Sequence, residues 1–166
     1  MRRITFIVPG KPIAQPRART VTTNAGERMS YTPNNGVKSF KEAARIQCSA
    51  AMEGGPMDGP IALTVRCVFP RNKGEMHKSK PMPRMWHTKT PDADNVIKGL
   101  KDALKHVAWR DDSQVCVEFI EKVIAAGNEQ PHTVVTIESI EHLSPPQADR
   151  LLPSESKSSA SGGLRS

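Results

Sequence analysis

The chain is 166 residues long and carries a net charge of +7, with a sequence pI ≈ 9.6. That length fits one ordinary domain able to bury a core, and the charge excess, which lies wholly in residues 1–140, favours an acidic partner, of which nucleic acid is the commonest. Cys48, Cys67 and Cys116 form no C-x-x-C and lie in apolar patterns, and no run approaches ~20 apolar residues, which argues against a disulfide framework, a zinc site, a signal peptide or a membrane span and for a reducing cytoplasm.

Residues 3–8 read as a short strand ended by Pro9-Gly10. The following segment, 11–19, has Pro12 and Pro16, so it is extended rather than helical, and it offers Lys11, Arg17 and Arg19 to phosphates or simply to water. Residues 20–35 are polar and turn-rich and read as a loop. A helical pattern covers 37–52, with Phe40, Ala44, Ile46 and Ala51 on one side, until Gly54-Gly55-Pro56 stops it. In 61–69, Ile61, Leu63, Val65, Cys67 and Phe69 alternate with Ala62, Thr64, Arg66 and Val68, the clearest strand signal in the chain.

Residues 71–91 form a long connection carrying Arg71, Lys73, Lys78, Lys80, Arg84 and Lys89 against the lone acid Glu75. A loop of this length within a compact domain is usually functional or disordered. Bases interleaved with Trp86 suit a DNA backbone and base stacking; the plain alternative is a solvated loop with Trp86 packed on the core. A second helix is expected over 95–107, with Val96, Leu100, Ala103, Leu104 and Val107 as its apolar stripe and Asp94 at its N-cap. A strand over 114–125 sets Val115, Val117, Phe119 and Val123 against Cys116, Glu118 and Lys122, and a strand over 132–140 is expected to pair with it as a hairpin. Beyond 143 the composition turns to Pro, Ser and Gly, the signature of a disordered tail. The order β-α-β-α-β-β predicts a mixed α+β (α/β) domain over 1–142, a small mixed sheet covered by two helices.

The carboxylates cluster in two places. Asp92 and Asp94 precede the second helix, and Asp111 and Asp112 follow it. Grouped carboxylates in a basic chain suit Mg²⁺, which takes one or two protein carboxylates plus phosphate oxygens and water. In an extended segment, side chains at i and i+2 point the same way, so Asp92 and Asp94 can share one ion. In phosphodiester hydrolysis the ion activates water or stabilises charge on phosphoryl oxygens, and Lys98, one turn on, adds charge; its plain alternative is an ion pair with Asp94 or Asp102. About 13 helical residues at ~1.5 Å each put Asp94 and Asp112 roughly 20 Å apart. One ion collects both from a single chain only if the 108–112 turn folds far back; two copies meeting across a two-fold axis would instead give paired composite sites in a homodimer.

Pro91-Asp92-Ala93-Asp94-Asn95, Lys98 and Asp102-Ala103-Leu104, then Asp111-Asp112 and Gln114-Val115, resemble the signature of the RusA-type Holliday junction resolvases. Gly10-Lys11-Pro12, Pro16-Arg17-Ala18-Arg19 and Tyr31-Thr32-Pro33 resemble the N-terminal pattern of the phage-borne members. The resemblance covers residues 3–140 and implies an intracellular, bacterial or phage-encoded, Mg²⁺-dependent endonuclease. It would act as a homodimer on four-way DNA junctions in recombination and repair, with no small-molecule cofactor. The same resemblance implies catalytic, metal-binding roles for Asp92, Asp94 and Asp112, help from Lys98 and a contribution or a turn-shaping role for Asp111. The chain departs from many members at His106, where they carry Gly. Two other readings of the same residues are a non-catalytic basic DNA-binding dimer and a nuclease of broader taste for flaps and forks.

Overall fold

The computed structural model describes residues 1–16, 18–31, 36–77 and 80–140, with backbone only at Arg19 and Tyr31. The expectations for Arg17, Lys78, the Arg19 side chain, the 32–33 part of the N-terminal motif and the 143–166 tail lie outside the described residues.

The elements are β1 (Arg3–Pro9), β2 (Arg19–Thr22), β3 (Arg28–Tyr31), α1 (Val37–Ala51), β4 (Ile61–Phe69), β5 (Met85–Trp86), α2 (Ala93–Leu104), β6 (Val115–Ile124) and β7 (His132–Ser139). Single 3₁₀ turns occupy Lys73–Glu75 and Asp112–Gln114. The mixed α+β fold expected from the sequence is therefore present. A β2–β3 hairpin, closed by Thr23 and Glu27, replaces the first part of the expected 20–35 loop.

Five strands form one sheet in the order β1-β7-β4-β6-β5. Its single parallel pair is β4 with β6; the others are antiparallel. This corrects the expected hairpin of the last two strands. β7 pairs with β1 and β4, and β4 separates it from β6. The reason lies in β4, whose Leu63, Val65, Cys67, Val68 and Phe69 are all buried; a strand that apolar belongs at the centre of a sheet, not at its rim. The chain leaves β6 with Ala125 N–H donating to Phe69 C=O, passes the end of β4, and re-enters on its far side.

Both helices pack on one face. Val96, Ile97, Leu100, Ala103 and Leu104 of α2 and Phe40, Ala44 and Cys48 of α1 are buried with Ile61, Leu63, Val65 and Cys67 of β4. Each large aliphatic side chain so buried stabilises by about 1.5–3 kcal/mol. Among the described residues the other face carries no helix. On it lie Thr5, Ile7, Thr64, Arg66, Phe119 and Trp86, with Ile7 53%, Phe119 57% and Trp86 70% exposed.

β6 shows why. Its register against β4 shifts between Val115 and Val117, leaving Cys116 as an extra residue. A one-residue insertion flips every later side chain. Glu118, Ile120 and Lys122 therefore stand opposite the core residues Leu63, Val65 and Cys67, while Val117, Phe119 and Glu121 stand on the open face. Cys48 and Cys67 are buried as expected; Cys116 is exposed. No helix among the described residues is long and apolar enough to cross a membrane.

The turn after α2 explains the unusual His106. Its backbone sits at φ 67, the left-handed region that glycine tolerates and a Cβ disfavours. Its N–H donates to Trp109 C=O at 2.6 Å, closing the turn that brings Trp109 into the core. His106→Gly is expected to stabilise the protein by roughly 1 kcal/mol, the strain relieved less the added backbone entropy. Urea denaturation checks this; a loss of stability would contradict it.

Candidate functional site

α2 starts earlier than its apolar stripe suggests. Asp92, not Asp94, is the N-cap, in extended conformation, and Asp94 is already inside the first turn. The two carboxylates thus do not share an extended strand; they sit on the opening turn of one helix, whose unpaired N–H groups favour negative charge. Capping does not account for them. Asp92 makes no side-chain cap bond, both are exposed, and neither carboxylate has a hydrogen bond or ion pair among the described residues. Lys98 is likewise exposed and unpaired among the described residues, because Asp102 pairs instead with Lys41 of α1 at 3.1 Å.

The segment leading to Asp92 is fixed from behind. Lys122 Nζ donates to Lys89 C=O at 2.8 Å and to Pro91 C=O at 2.6 Å. Gln15 N–H donates to Asn95 C=O at 2.9 Å, so the proline-rich 11–16 segment crosses the start of α2. It approaches so closely that a Cβ on Gly99 would stand 3.4 Å from Gln15 N. Sequence reasoning missed Lys122. The signal available was a lysine on the strand face shared with Ile120 and Ile124, which needs a polar partner within reach of that face.

Asp111 and Asp112 sit at the other end of α2 and differ in role. Asp111 caps the 3₁₀ turn, accepting from Ser113 N–H at 3.0 Å, and pairs with Lys105 at 2.7 Å. The Lys105 ammonium, with help from Ser113, holds its carboxyl well below the usual carboxylate range. Asp112 is half-buried, and its Oδ1 accepts from the buried Trp109 indole N–H at 2.9 Å. Gln114 locks this turn. Its carbonyl oxygen accepts from Arg110 and Asp111 N–H, and its amide donates to Met57 and Gly59 C=O, all within 3.0 Å.

The 12 residues of α2 span about 18 Å. Among the described residues no three His, Cys, Asp or Glu side chains of one chain come together to hold a metal. Asp92 and Asp94 supply two charged, solvent-facing oxygen donors, suited to a hard divalent cation; Asp112 of the same chain does not join them.

The basic candidates divide. Arg71 donates to Ala125 C=O at 3.0 Å and Pro83 C=O at 2.6 Å. Arg84 forms a two-point ion pair with Glu129. These two hold the 71–91 connection against the β6–β7 loop. Lys11, Lys73, Lys80 and Lys89 are exposed, with ammonium groups unpaired among the described residues. Lys11 and Lys89 line a cavity of about 270 Å³ with Phe69, Asn72, His87 and Thr90. His87 stacks on Phe69 at 4.1 Å, and burial with Lys122 nearby lowers its pKa.

Residues 9–138 match the family model described as endodeoxyribonuclease RusA. The chain is also 32% identical over 142 residues to the "Uncharacterized protein YqaN" of Bacillus subtilis (strain 168), a match that covers 82% of this chain and 96% of that one.

The Arg84–Glu129 pair makes a pH prediction. The Arg84 hydrogen bond lowers Glu129 from 4.5 to about 2. A depressed carboxylate stabilises the fold above its unfolded pKa and loses that contribution as pH falls toward the folded one. Wild type is therefore expected to outlast Arg84→Ala in urea at neutral pH, with the difference vanishing as pH falls from about 4.5 to about 2. NMR titration of Glu129 should show its midpoint rising in the variant; an unmoved midpoint would remove Arg84 as the cause.

Proposed function

Because this chain belongs to the RusA endodeoxyribonuclease family, we propose that it is a Mg²⁺-dependent endonuclease that resolves four-way DNA junctions by paired, symmetric nicks, as a homodimer. The observation that carries this reading is the pair of uncommitted, exposed carboxylates Asp92 and Asp94 on the first turn of α2, in the segment that matches the family signature.

Asp92 and Asp94 of one copy and Asp112 of the other would hold the metal. Mg²⁺ would there supply positive charge to the phosphoryl oxygens and to the attacking water. The remaining work falls to this chain's own groups. Lys122, through Lys89 and Pro91 C=O, fixes the approach to Asp92. The Trp109 indole orients Asp112 by its Oδ1, leaving Oδ2 for the site. Lys98, with no competing carboxylate, faces solvent on the turn after Asp94 and stabilises charge that develops on the scissile phosphate. Asp111, engaged by Lys105, shapes the turn.

DNA is held mainly by its phosphates. Lys11, Lys73, Lys80 and Lys89, exposed and unpaired among the described residues, offer ammonium groups for that purpose, and Trp86 offers an exposed indole for an unstacked base. No base-reading motif is apparent, so selectivity comes from junction shape and deformability.

A synthetic four-way junction is expected to be nicked symmetrically with Mg²⁺ and left intact with chelator, while a linear duplex of matched sequence is spared. Asp92→Asn and Asp94→Asn should abolish cleavage and keep junction binding. Tight binding without any cut in wild type would favour a non-catalytic DNA-binding dimer, and equal cutting of flaps and forks would favour a broader branched-DNA nuclease. Lys80→Ala should weaken binding and lower the slope of log K against log salt by about 1; an unchanged slope would place Lys80 outside the interface.

A further inference from the structure

The cavity lined by Lys11, Lys89 and His87 has no part in the carboxylate chemistry of α2. It encloses about 270 Å³, and Phe69, Glu75 and Ile124 also line it. Small-ligand pockets begin near about 300 Å³, so the space suits one small ring system and little more.

Three kinds of group meet there. Phe69, Pro70 and Ile124 are apolar, and the His87 ring lies on Phe69 with centroids 4.1 Å and planes 17° apart. A flat aromatic wall of this kind suits a further planar ring. Glu75 Oε2 and His87 Nδ1 are buried and have no hydrogen-bond partner among the described residues. Folded proteins rarely leave such atoms unpaired, and a buried carboxylate oxygen without a donor is costly. The other oxygen of Glu75 is already engaged by the Asn72 amide, at 3.4 Å. Lys11 and Lys89 add ammonium groups that are exposed and unpaired among the described residues.

A ligand that answers all three is planar, has an N–H donor and carries negative charge. A metal ion does not fit, because Glu75 and His87 are the only carboxylate and imidazole of the lining and two ammonium groups repel a cation. A bare phosphate leaves Glu75 facing a like charge. A nucleotide meets each requirement. We propose that this cavity takes one unpaired nucleotide, its base donating an exocyclic amino N–H to Glu75 and its phosphate lying on Lys11 and Lys89. Adenine, cytosine and guanine carry such an amino group. Thymine has none, and its ring N–H is flanked by two carbonyl oxygens that the carboxylate repels.

The cavity adjoins the candidate metal site. Lys89 and Thr90 line it and Pro91 and Asp92 follow, so Asp92 lies within about 10 Å of Lys89 along the chain. Lys122 Nζ holds both Lys89 and Pro91 C=O, which joins the cavity wall and the approach to Asp92 into one unit. A nucleotide near the phosphate held at Asp92 and Asp94 enters by leaving its stack, which costs least where pairing is already interrupted. In that form the inference rests on the proposed nuclease reading: junction shape selects the substrate, and the cavity adds a choice of nucleotide on it. A free mononucleotide offers the same chemistry, and the test separates the two sources.

In the first arm, calorimetry on the full chain in chelator titrates the four deoxynucleoside monophosphates separately. An amino-bearing nucleotide should bind about tenfold or more tightly than the thymine nucleotide. Glu75→Ala should remove that preference, while Lys11→Ala should weaken all four alike. The second arm measures junction binding, also in chelator, with single abasic sites placed in turn around the crossover. If the nucleotide comes from the DNA strand, one position should weaken wild type by about tenfold and leave Glu75→Ala unaffected. If it comes from solution, only the first arm responds. Absence of both responses, or a preference that survives Glu75→Ala, would overturn the proposal. Because metal is absent throughout, a protein that shows neither response yet nicks the junction once Mg²⁺ is added loses this inference and keeps the proposed function.

Discussion

The constraint on which the rest depends is a rigid helix with carboxylates at both ends. α2 buries five large or small apolar side chains against β4 and α1 and cannot bend to bring Asp112 back to Asp94. Its 12 residues, at ~1.5 Å each, span about 18 Å, and among the described residues no three metal-ligating side chains of one chain come together. On the proposed reading Asp92 and Asp94 are half of a site, which the fold completes by symmetry with an oxygen donor from a second copy.

Each end of α2 is held in place by neighbouring groups. At the start of α2, Lys122 and Gln15 fix the backbone around Asp92 and Asn95, leaving the carboxylates exposed and uncommitted. At its end, Gln114 ties the 3₁₀ turn to the 57–59 segment, and the Trp109 indole presents Asp112. Asp111 and Arg84 show that charge in a loop is not by itself function. Each is engaged by an opposite charge and holds a turn or a connection in place. The lysines that remain unpaired are the ones available to a polyanion.

Much of this was legible in the sequence. The two helices, the buried alternation of β4 and the segment from Pro91 to Val115 follow from period, punctuation and residue chemistry. That α2 sets its two carboxylate pairs at opposite ends followed from helix geometry alone. Three features were not legible. The insertion of β7 between β1 and β4 depends on the central place of the largely buried β4, a property of the whole sheet. The flipped faces of β6 depend on one extra residue at Cys116, which alternation cannot reveal, because Val117, Phe119 and Val123 still alternate perfectly well on the wrong side. Lys122 and Trp109 act through partners 31 and 3 residues away, and only the fold brings the distant one into reach. His106 is the reverse case: its place in the sequence marked an irregular turn, and its positive φ gives the reason.

The measurement that tests the proposed shared site most directly is subunit mixing. Asp94→Asn and Asp112→Asn chains, each expected to be inactive alone, are unfolded together, refolded and assayed for nicking of a four-way junction with Mg²⁺. If each site takes Asp94 from one copy and Asp112 from the other, every mixed dimer has one intact site, and random assortment returns about a quarter of the wild-type sites. The product should be a junction nicked on one strand rather than a resolved pair. If mixing returns nothing above the parents, the three carboxylates act within one chain, and the account built on the length of α2 is wrong.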